Sequence, residues 1–359
     1  MKSIIVTGGA GFIGSNFAHY WCETYPEDKV LVVDSLSYAG NLHSLTRIDN
    51  PNFSFLRCDI NDTEKVAKAM RDHSVDTLVH FAAESHVDRS IDAPDIFLET
   101  NIIGTHNLLK VAKNYWDEIG IEGHFHHVST DEVYGELTME DEAFKESNPY
   151  LPNSPYSASK ASSDFFVRAY HHTYGMKVTT SNCSNNYGPY HFPEKLIPLT
   201  ILNILAGKNI PVYGDGKNIR DWLYVDDHSR GIDLVIQNGV PGETYNIGGN
   251  NEWTNIDIVK IICSYIDKKF SSDEQLKKKY PECPASNATA SDSLISYVKD
   301  RAGHDFRYAV DTQKIQAALG YEPEITFETG IEMTIDWYLE NDEWWSGVTD
   351  GSYRKLTSF

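Results

Sequence analysis

The chain has 359 residues, 41% of them hydrophobic and 23% charged. At roughly 150 residues per domain this length points to about two domains with large cores, and it excludes a small disulfide-stapled scaffold, a disordered chain and a fibrous repeat. The formal net charge of −21 repels nucleic acid and anionic membranes, so neither is an expected partner, and an anionic ligand needs a local basic pocket.

The N-terminal MKSIIVTGGAGFIGSN runs from a short apolar stretch straight into glycines, unlike a secretory signal. No apolar run approaches the roughly 18 residues of a membrane span. The cysteines (Cys22, Cys58, Cys183, Cys263, Cys283) are odd in number and lack CxxC or His-partner spacing. They read as free thiols in a reducing, cytoplasmic setting, with no metal site expected.

Short β-branched runs at Ser3–Thr7, Val30–Val33, Phe53–Cys58, Thr77–Phe81 and Phe125–Ser129 alternate with amphipathic stretches such as Thr63–Arg71. This rhythm predicts a parallel sheet with crossover helices, whose ligands gather beyond the C-terminal ends of the strands. After about Pro189 the prolines come closer together and the rhythm is lost. The expected organisation is therefore α/β: a Rossmann-type doubly wound parallel sheet over 1–188, and a smaller mixed α/β lobe over 189–359. The boundary is approximate and the chain is allowed to cross between lobes. Lys268–Ser293, with its Lys run and Ser/Asn/Thr-rich tail, predicts a surface excursion or mobile loop. The aromatic Trp344–Phe359 is expected to pack back or meet a partner.

Gly9-x-Gly11-x-x-Gly14 follows the first strand and opens a helix, and Gly8, Gly11 and Gly14 also fit G-x-x-G-x-x-G spacing. Such glycines permit a tight turn and a close backbone approach to a pyrophosphate at a helix N-terminus. Asp34 ends the second strand 20 residues after Gly14, placed to accept from the adenosine ribose hydroxyls and to repel a 2′-phosphate. That selects NAD over NADP. Asp59-Ile60 after the third strand suits an adenine edge, although Asp59 reads equally well as a helix cap. Ala82 and Ala83 after the fourth are small enough for a dinucleotide to lie against.

Tyr156 and Lys160 stand at i, i+4 in a predicted helix, which puts phenol and ammonium on one face. A free phenol titrates near about 10, and a cationic neighbour brings it toward use as a base. An ordinary exposed helix pair is the plainer alternative. Thr130-Asp131-Glu132 follows the fifth strand. Two adjacent carboxyls invite an acid/base division if one is held protonated, and both reach one substrate only where the backbone turns. A capping or solvated acidic pair is the competing reading.

STDEVYG at 129–135, YSASK at 156–160, SNNYGPYHFPEKLIP at 184–198, RDWLYVDD at 220–227 and DRAGHDFRY at 300–308 together resemble the extended short-chain dehydrogenase/reductase family, in its nucleotide-sugar 4,6-dehydratase branch that acts on dTDP-glucose. The resemblance spans essentially the whole chain in order. It implies a hydro-lyase with tightly bound, regenerated NAD. Thr130, Asp131, Glu132, Tyr156 and Lys160 are the implied catalytic residues, acting in C4 oxidation, loss of water across C5–C6, and hydride return to C6 for deoxysugar synthesis such as that of dTDP-rhamnose.

The same resemblance implies cofactor contacts at Gly8, Gly11, Phe12, Ile13, Gly14, Asp34, Ser35, Leu36, Ser37, Asp59, Ile60, Ala82, Ala83, Ser85, Thr100, Tyr156, Lys160 and Asn186. Substrate contacts are implied at Ser85, Thr130, Asn185, Lys195, Leu196, Pro211, Tyr213, Arg220, Asn255, Arg301 and His304. Lys195, Arg220 and Arg301 are cations in otherwise neutral motifs, as a diphosphate requires, although Arg220 beside Asp221 reads equally as an internal ion pair. A homodimer is implied through the stretch Ile96–Tyr115 and the Tyr156 helix. Other nucleotide-sugar 4,6-dehydratases, a UDP-sugar 4-epimerase, and a non-catalytic NAD-binding protein stand as alternatives. An epimerase needs no Asp-Glu pair.

Overall fold

The computed structural model describes residues 1–300 and 303–359. The strands are β1 (Ser3–Thr7), β2 (Lys29–Asp34), β3 (Phe53–Arg57), β4 (Thr77–His80), β5 (His124–Thr130), β6 (Lys177–Cys183), β7 (Asn185–Tyr187), β8 (Ile210–Tyr213), β9 (Ile219–Tyr224), β10 (Thr244–Ile247), β11 (Glu252–Thr254), β12 (Ile295–Val298) and β13 (Arg307–Tyr308). Seven form one Rossmann-type sheet in the order β10-β6-β5-β4-β1-β2-β3, all parallel, with Val6 of β1 opposite Val32 on one side and Val79 on the other. Helices cover both faces, which is why these strands read as continuous apolar runs. Phe17, Trp21 and Ile232 pack on one face, and Leu108, Trp116 and Val167 on the other.

β5 departs from that rule. Its seven residues are all buried, yet three are histidines, and buried polar groups need partners. His124 Nε2 and His126 Nδ1 each lie 2.9 Å from Thr179 Oγ1, and His126 Nε2 lies 3.1 Å from Ser181 Oγ. Burial pushes all three imidazoles below their usual range and keeps them neutral.

Local signals set the helix ends. Asp62, not Asp59, caps the Thr63–His73 helix, accepting from the Lys65 N–H at 3.1 Å. The Pro155–Tyr174 helix starts at a Ser154/Ser157 capping box with proline in its first turn, and ends at left-handed Gly175.

In the second half, β9 is flanked by β11, β13 and β7, and β8 pairs with β12. Ile201, Trp222, Ile262 and Phe327 share its core, while β10 returns to the large sheet beside β6. Lys268–Ser293 is not a loose excursion. It begins inside the Asn255–Ser272 helix and continues into Glu274–Lys279. Phe270 and Cys283 are fully buried, and the N–H and hydroxyl of Ser291 both donate to Asp267. A few apolar anchors hold turns whose average composition is polar. The C-terminal segment packs back as well: Trp344 Nε1 donates to Ser44 Oγ at 3.1 Å, and the Tyr353 hydroxyl to the Tyr38 carbonyl at 2.5 Å. Among the described residues no helix is long and apolar enough to cross a membrane.

Candidate active site

The connections leave β1 toward β2 and β3 on one side and toward β4, β5 and β6 on the other. This is the switch point at which open α/β sheets bind ligands. A cleft of ≈ 550 Å³ opens there, between the strand ends and the second lobe.

At its floor, Gly8 adopts φ +69, and a Cβ on it would lie 2.5 Å from the Ala82 nitrogen. A Cβ on Gly14 would lie 2.4 Å from the Gly8 carbonyl oxygen. Backbone therefore meets backbone, and only glycine fits. Gly11 caps the Phe12–Thr24 helix without a side-chain hydrogen bond, leaving N–H donors of its first turn for an anion. Asp34 is buried at the end of β2. Its Oδ2 accepts from the Ala10 N–H at 3.0 Å and its Oδ1 from the Leu36 N–H at 2.8 Å. Burial raises its pKa and these donors oppose that rise. No cation occurs in Asp34–Gly40, so the cradle suits a dinucleotide with a free 2′-hydroxyl.

Gly8, Gly11, Phe12, Ile13, Gly14, Asp34, Ser35, Ser37, Asp59, Ile60, Ala82, Ala83, Ser85, Thr100 and Asn186 all line the cleft. Leu36 does not: its φ of +56 turns the chain, and its side chain packs on the core beneath β1 and β2. Thr130, Asp131, Glu132, Tyr156 and Lys160 line the same cleft, as do Asn185, Lys195, Leu196, Pro211, Tyr213, Arg220, Asn255 and His304. Arg301 lies outside the described residues.

The backbone turns where a shared substrate needs it to. Thr130 ends β5 and caps a 3-10 turn over Asp131–Tyr134, accepting from the Glu132 N–H at 3.3 Å. Asp131 is 2% exposed, and its Oδ2 has no hydrogen-bond partner among the described residues. Burial first, then the charges of Glu132 and Asp221, hold its carboxyl well above the usual range, against Arg220 and Thr130. Glu132 is half-buried. Burial thus favours the protonated form of one member of the pair beside the other.

Burial and the Glu132 carboxylate also push the Tyr156 phenol up, with a Thr130 hydrogen bond opposing them. The Lys160 ammonium donates to the Val128 carbonyl at 2.9 Å and is lowered to about 8, chiefly by burial. Arg220 and Asp221 leave β9 on opposite sides, as successive strand residues do. Arg220 donates to the carbonyls of Ile219, Asp305 and Phe306 and stacks on Tyr308 at 4.3 Å. Asp221 accepts from the N–H groups of Gly249 and Asn251.

Some lining residues escaped the sequence reading. Tyr38 faces Phe192 edge-on at 5.7 Å and carries the Arg89 guanidinium at 3.9 Å over its ring. His86 lies 3.5 Å from Glu194 across the mouth, and Trp222 and Cys183 complete the walls. Tyr38 alone left a signal, an aromatic within the loop that follows Asp34.

A family model described as GDP-mannose 4,6 dehydratase matches residues 5–334. A dTDP-glucose 4,6-dehydratase of Neisseria meningitidis serogroup B is 54% identical over 99% of this chain and 98% of its own, and one of Escherichia coli is 52% identical over 98% and 97%. The crystal structure of a dTDP-glucose 4,6-dehydratase from Streptomyces venezuelae, with NAD bound, superposes with a TM-score of 0.85 at 45% identity, covering 97% of this chain and 100% of that one. A Gly8–Gly14 cradle, a Thr130-Asp131-Glu132 turn and a Tyr156/Lys160 helix around one cleft, with this full-length similarity, place the chain in the dTDP-glucose 4,6-dehydratase family of extended short-chain dehydrogenases/reductases.

Proposed function

We propose that this protein converts dTDP-glucose into dTDP-4-keto-6-deoxyglucose and water, as an NAD-dependent hydro-lyase of deoxysugar synthesis. The observation that carries the reading is Asp131, a buried carboxyl with an unpartnered oxygen next to Glu132 in the cleft that holds Tyr156, where burial pushes its pKa up. The glycine turn, Asp34 and Lys160 would hold NAD⁺, which would supply the hydride acceptor and a positive charge to offset the burial and the Glu132 carboxylate that push the phenol up.

Tyr156 takes the proton of the sugar 4-hydroxyl as C4 is oxidised, and Thr130 hydrogen-bonds the same oxygen. The resulting ketone acidifies the proton on C5. Glu132 removes that proton, and Asp131 gives its own to the departing C6 hydroxyl, which leaves as water. The hydride taken from C4 ends on C6 and a proton returns to C5, so no net redox change remains. Arg220, Lys195 and Arg301 answer the diphosphate, with Ser85, Asn185, Leu196, Pro211, Tyr213, Asn255 and His304 around sugar and nucleotide.

Purified protein, given dTDP-glucose without added cofactor, is expected to form the 4-keto sugar with the mass loss of one water, and UDP-glucose is expected to give none. Interconversion of UDP-glucose without loss of water would instead establish a 4-epimerase. Bound NAD with no turnover of either would leave a binding protein.

A homodimer is supported by an apolar face shared by the Asp95–Ile119 helical run and the Pro155–Tyr174 helix, where Leu98 is 49% and Phe165 58% exposed. Phe165→Asp is expected to lower the sedimenting mass by half. A wild-type chain that sediments as a monomer removes this reading. Five buried free thiols support a cytoplasmic setting, and rhamnose synthesis is the proposed destination of the product.

A further inference from the structure

Beneath the cleft, a buried polar cluster has no part in the steps just described. Asp164 follows Lys160 by one turn of the Pro155–Tyr174 helix, and both are buried against β5. His127 Nε2 lies 3.1 Å from Asp164 Oδ1 and 3.4 Å from Lys160 Nζ. The side chains of Asp164 and His127 are 5% and 0% exposed.

A carboxyl taken out of water this far is expensive unless charge answers it. The groups facing it are few. Lys160 lies on its own helix, His127 and Ser129 on β5, Tyr134 on the turn that follows β5, and Tyr150 on the preceding loop. Lys160 is the one cation among these groups, since burial holds the His127 imidazole neutral. His127 Nε2 accepts from the Lys160 ammonium, which also donates to the Val128 carbonyl, and neither Asp164 oxygen has a hydrogen-bond partner among the described residues, so nearby charge is what answers the carboxylate.

We propose that Asp164, set against His127 one helical turn from Lys160, is a positioning residue of the reaction: the buried counter-charge that keeps the Lys160 ammonium charged and in place beneath Tyr156 and the dinucleotide. This rests on the reading that Tyr156 and Lys160 serve the oxidation step. The electrostatics run in the same direction. Burial lowers Lys160 to about 8 and Asp164 is the first influence opposing it, while burial raises Asp164 to about 6 against Lys160. Between those values both groups are charged. A charged lysine needed for oxidation is present below its pKa and lost as pH rises through it, so removing the anion moves that loss to lower pH.

The test is single-turnover oxidation of dTDP-glucose by the holoenzyme across pH, followed by reduced-nicotinamide absorbance. Wild-type turnover first secures the functional reading, so its failure is told apart from failure of this inference. Asp164→Asn is expected to move the alkaline limb down by roughly one pH unit, a tenfold loss on the slope of that limb, and Asp164→Glu to restore most of it. His127→Asn, which keeps the carboxylate but removes the imidazole that lies between it and Lys160, is expected to move the limb the same way by less, and it serves as the test if Asp164→Asn does not fold. An unmoved limb, with rates unchanged or lowered equally at every pH, assigns the cluster to packing and overturns the proposal.

Discussion

Replacing Asp131 with Asn is expected to lower formation of the 4-keto-6-deoxy product by roughly 10²- to 10⁴-fold, the range of a lost general acid, while leaving C4 oxidation largely intact. The amide matches the carboxyl in shape and can donate a hydrogen bond, but it cannot release a proton to the C6 hydroxyl. Reduced nicotinamide should therefore accumulate in the variant after mixing with dTDP-glucose, where the wild type passes through that stage quickly. Because burial holds the Asp131 carboxyl well above its usual range, the acid persists to higher pH than an ordinary carboxyl and is lost as pH rises through the elevated value. The wild-type elimination step should show this alkaline decline, and the variant should not. Unchanged product formation by Asp131→Asn would remove the dehydratase chemistry assigned to this pair.

Gly8→Val is expected to abolish retained cofactor. Left-handed backbone costs a residue with a side chain about 1–2 kcal/mol, and a β-branched residue more. The added carbon would also stand 2.5 Å from the Ala82 nitrogen, a backbone atom that cannot swing aside. Relief requires β1 and β4 to part at their C-terminal ends, where a dinucleotide must lie. The NAD content of the purified variant, measured by absorbance after denaturation, should fall to a few per cent of wild type, and turnover without added cofactor should vanish. A variant retaining full NAD would show that the cradle adjusts and that the contact at Ala82 does not govern binding.

What could be read in the sequence followed from range. The glycine turn, the Thr130-Asp131-Glu132 turn and the Tyr156/Lys160 pair each belong to one local element, so spacing alone aligned their residues. The turn at Leu36, which sends its side chain to the core, was not legible because a positive φ inside a loop carries no periodic signature. Two of the carbonyls that hold Arg220 come from Asp305 and Phe306, 85 and 86 residues away, beyond any local pattern, so an ion pair with the neighbouring Asp221 stood level with a substrate contact. His127 and Asp164 escaped for a related reason: β5 reads as one more buried strand, and only its packing against the Pro155–Tyr174 helix shows that one of its imidazoles, His127, is placed beside a lysine. Lys268–Ser293 was misjudged because composition averages over a segment, whereas its attachment depends on a few side chains such as Phe270 and Cys283.

The bond from Tyr353 to the Tyr38 carbonyl spans 315 residues of chain, and Tyr38 is part of the cleft wall. During synthesis the glycine turn therefore precedes, by more than three hundred residues, the contact that braces the wall beside it. The phosphate-binding glycines are made long before the tie at Tyr38 can form, so the two sides of one cleft are completed at widely separated times.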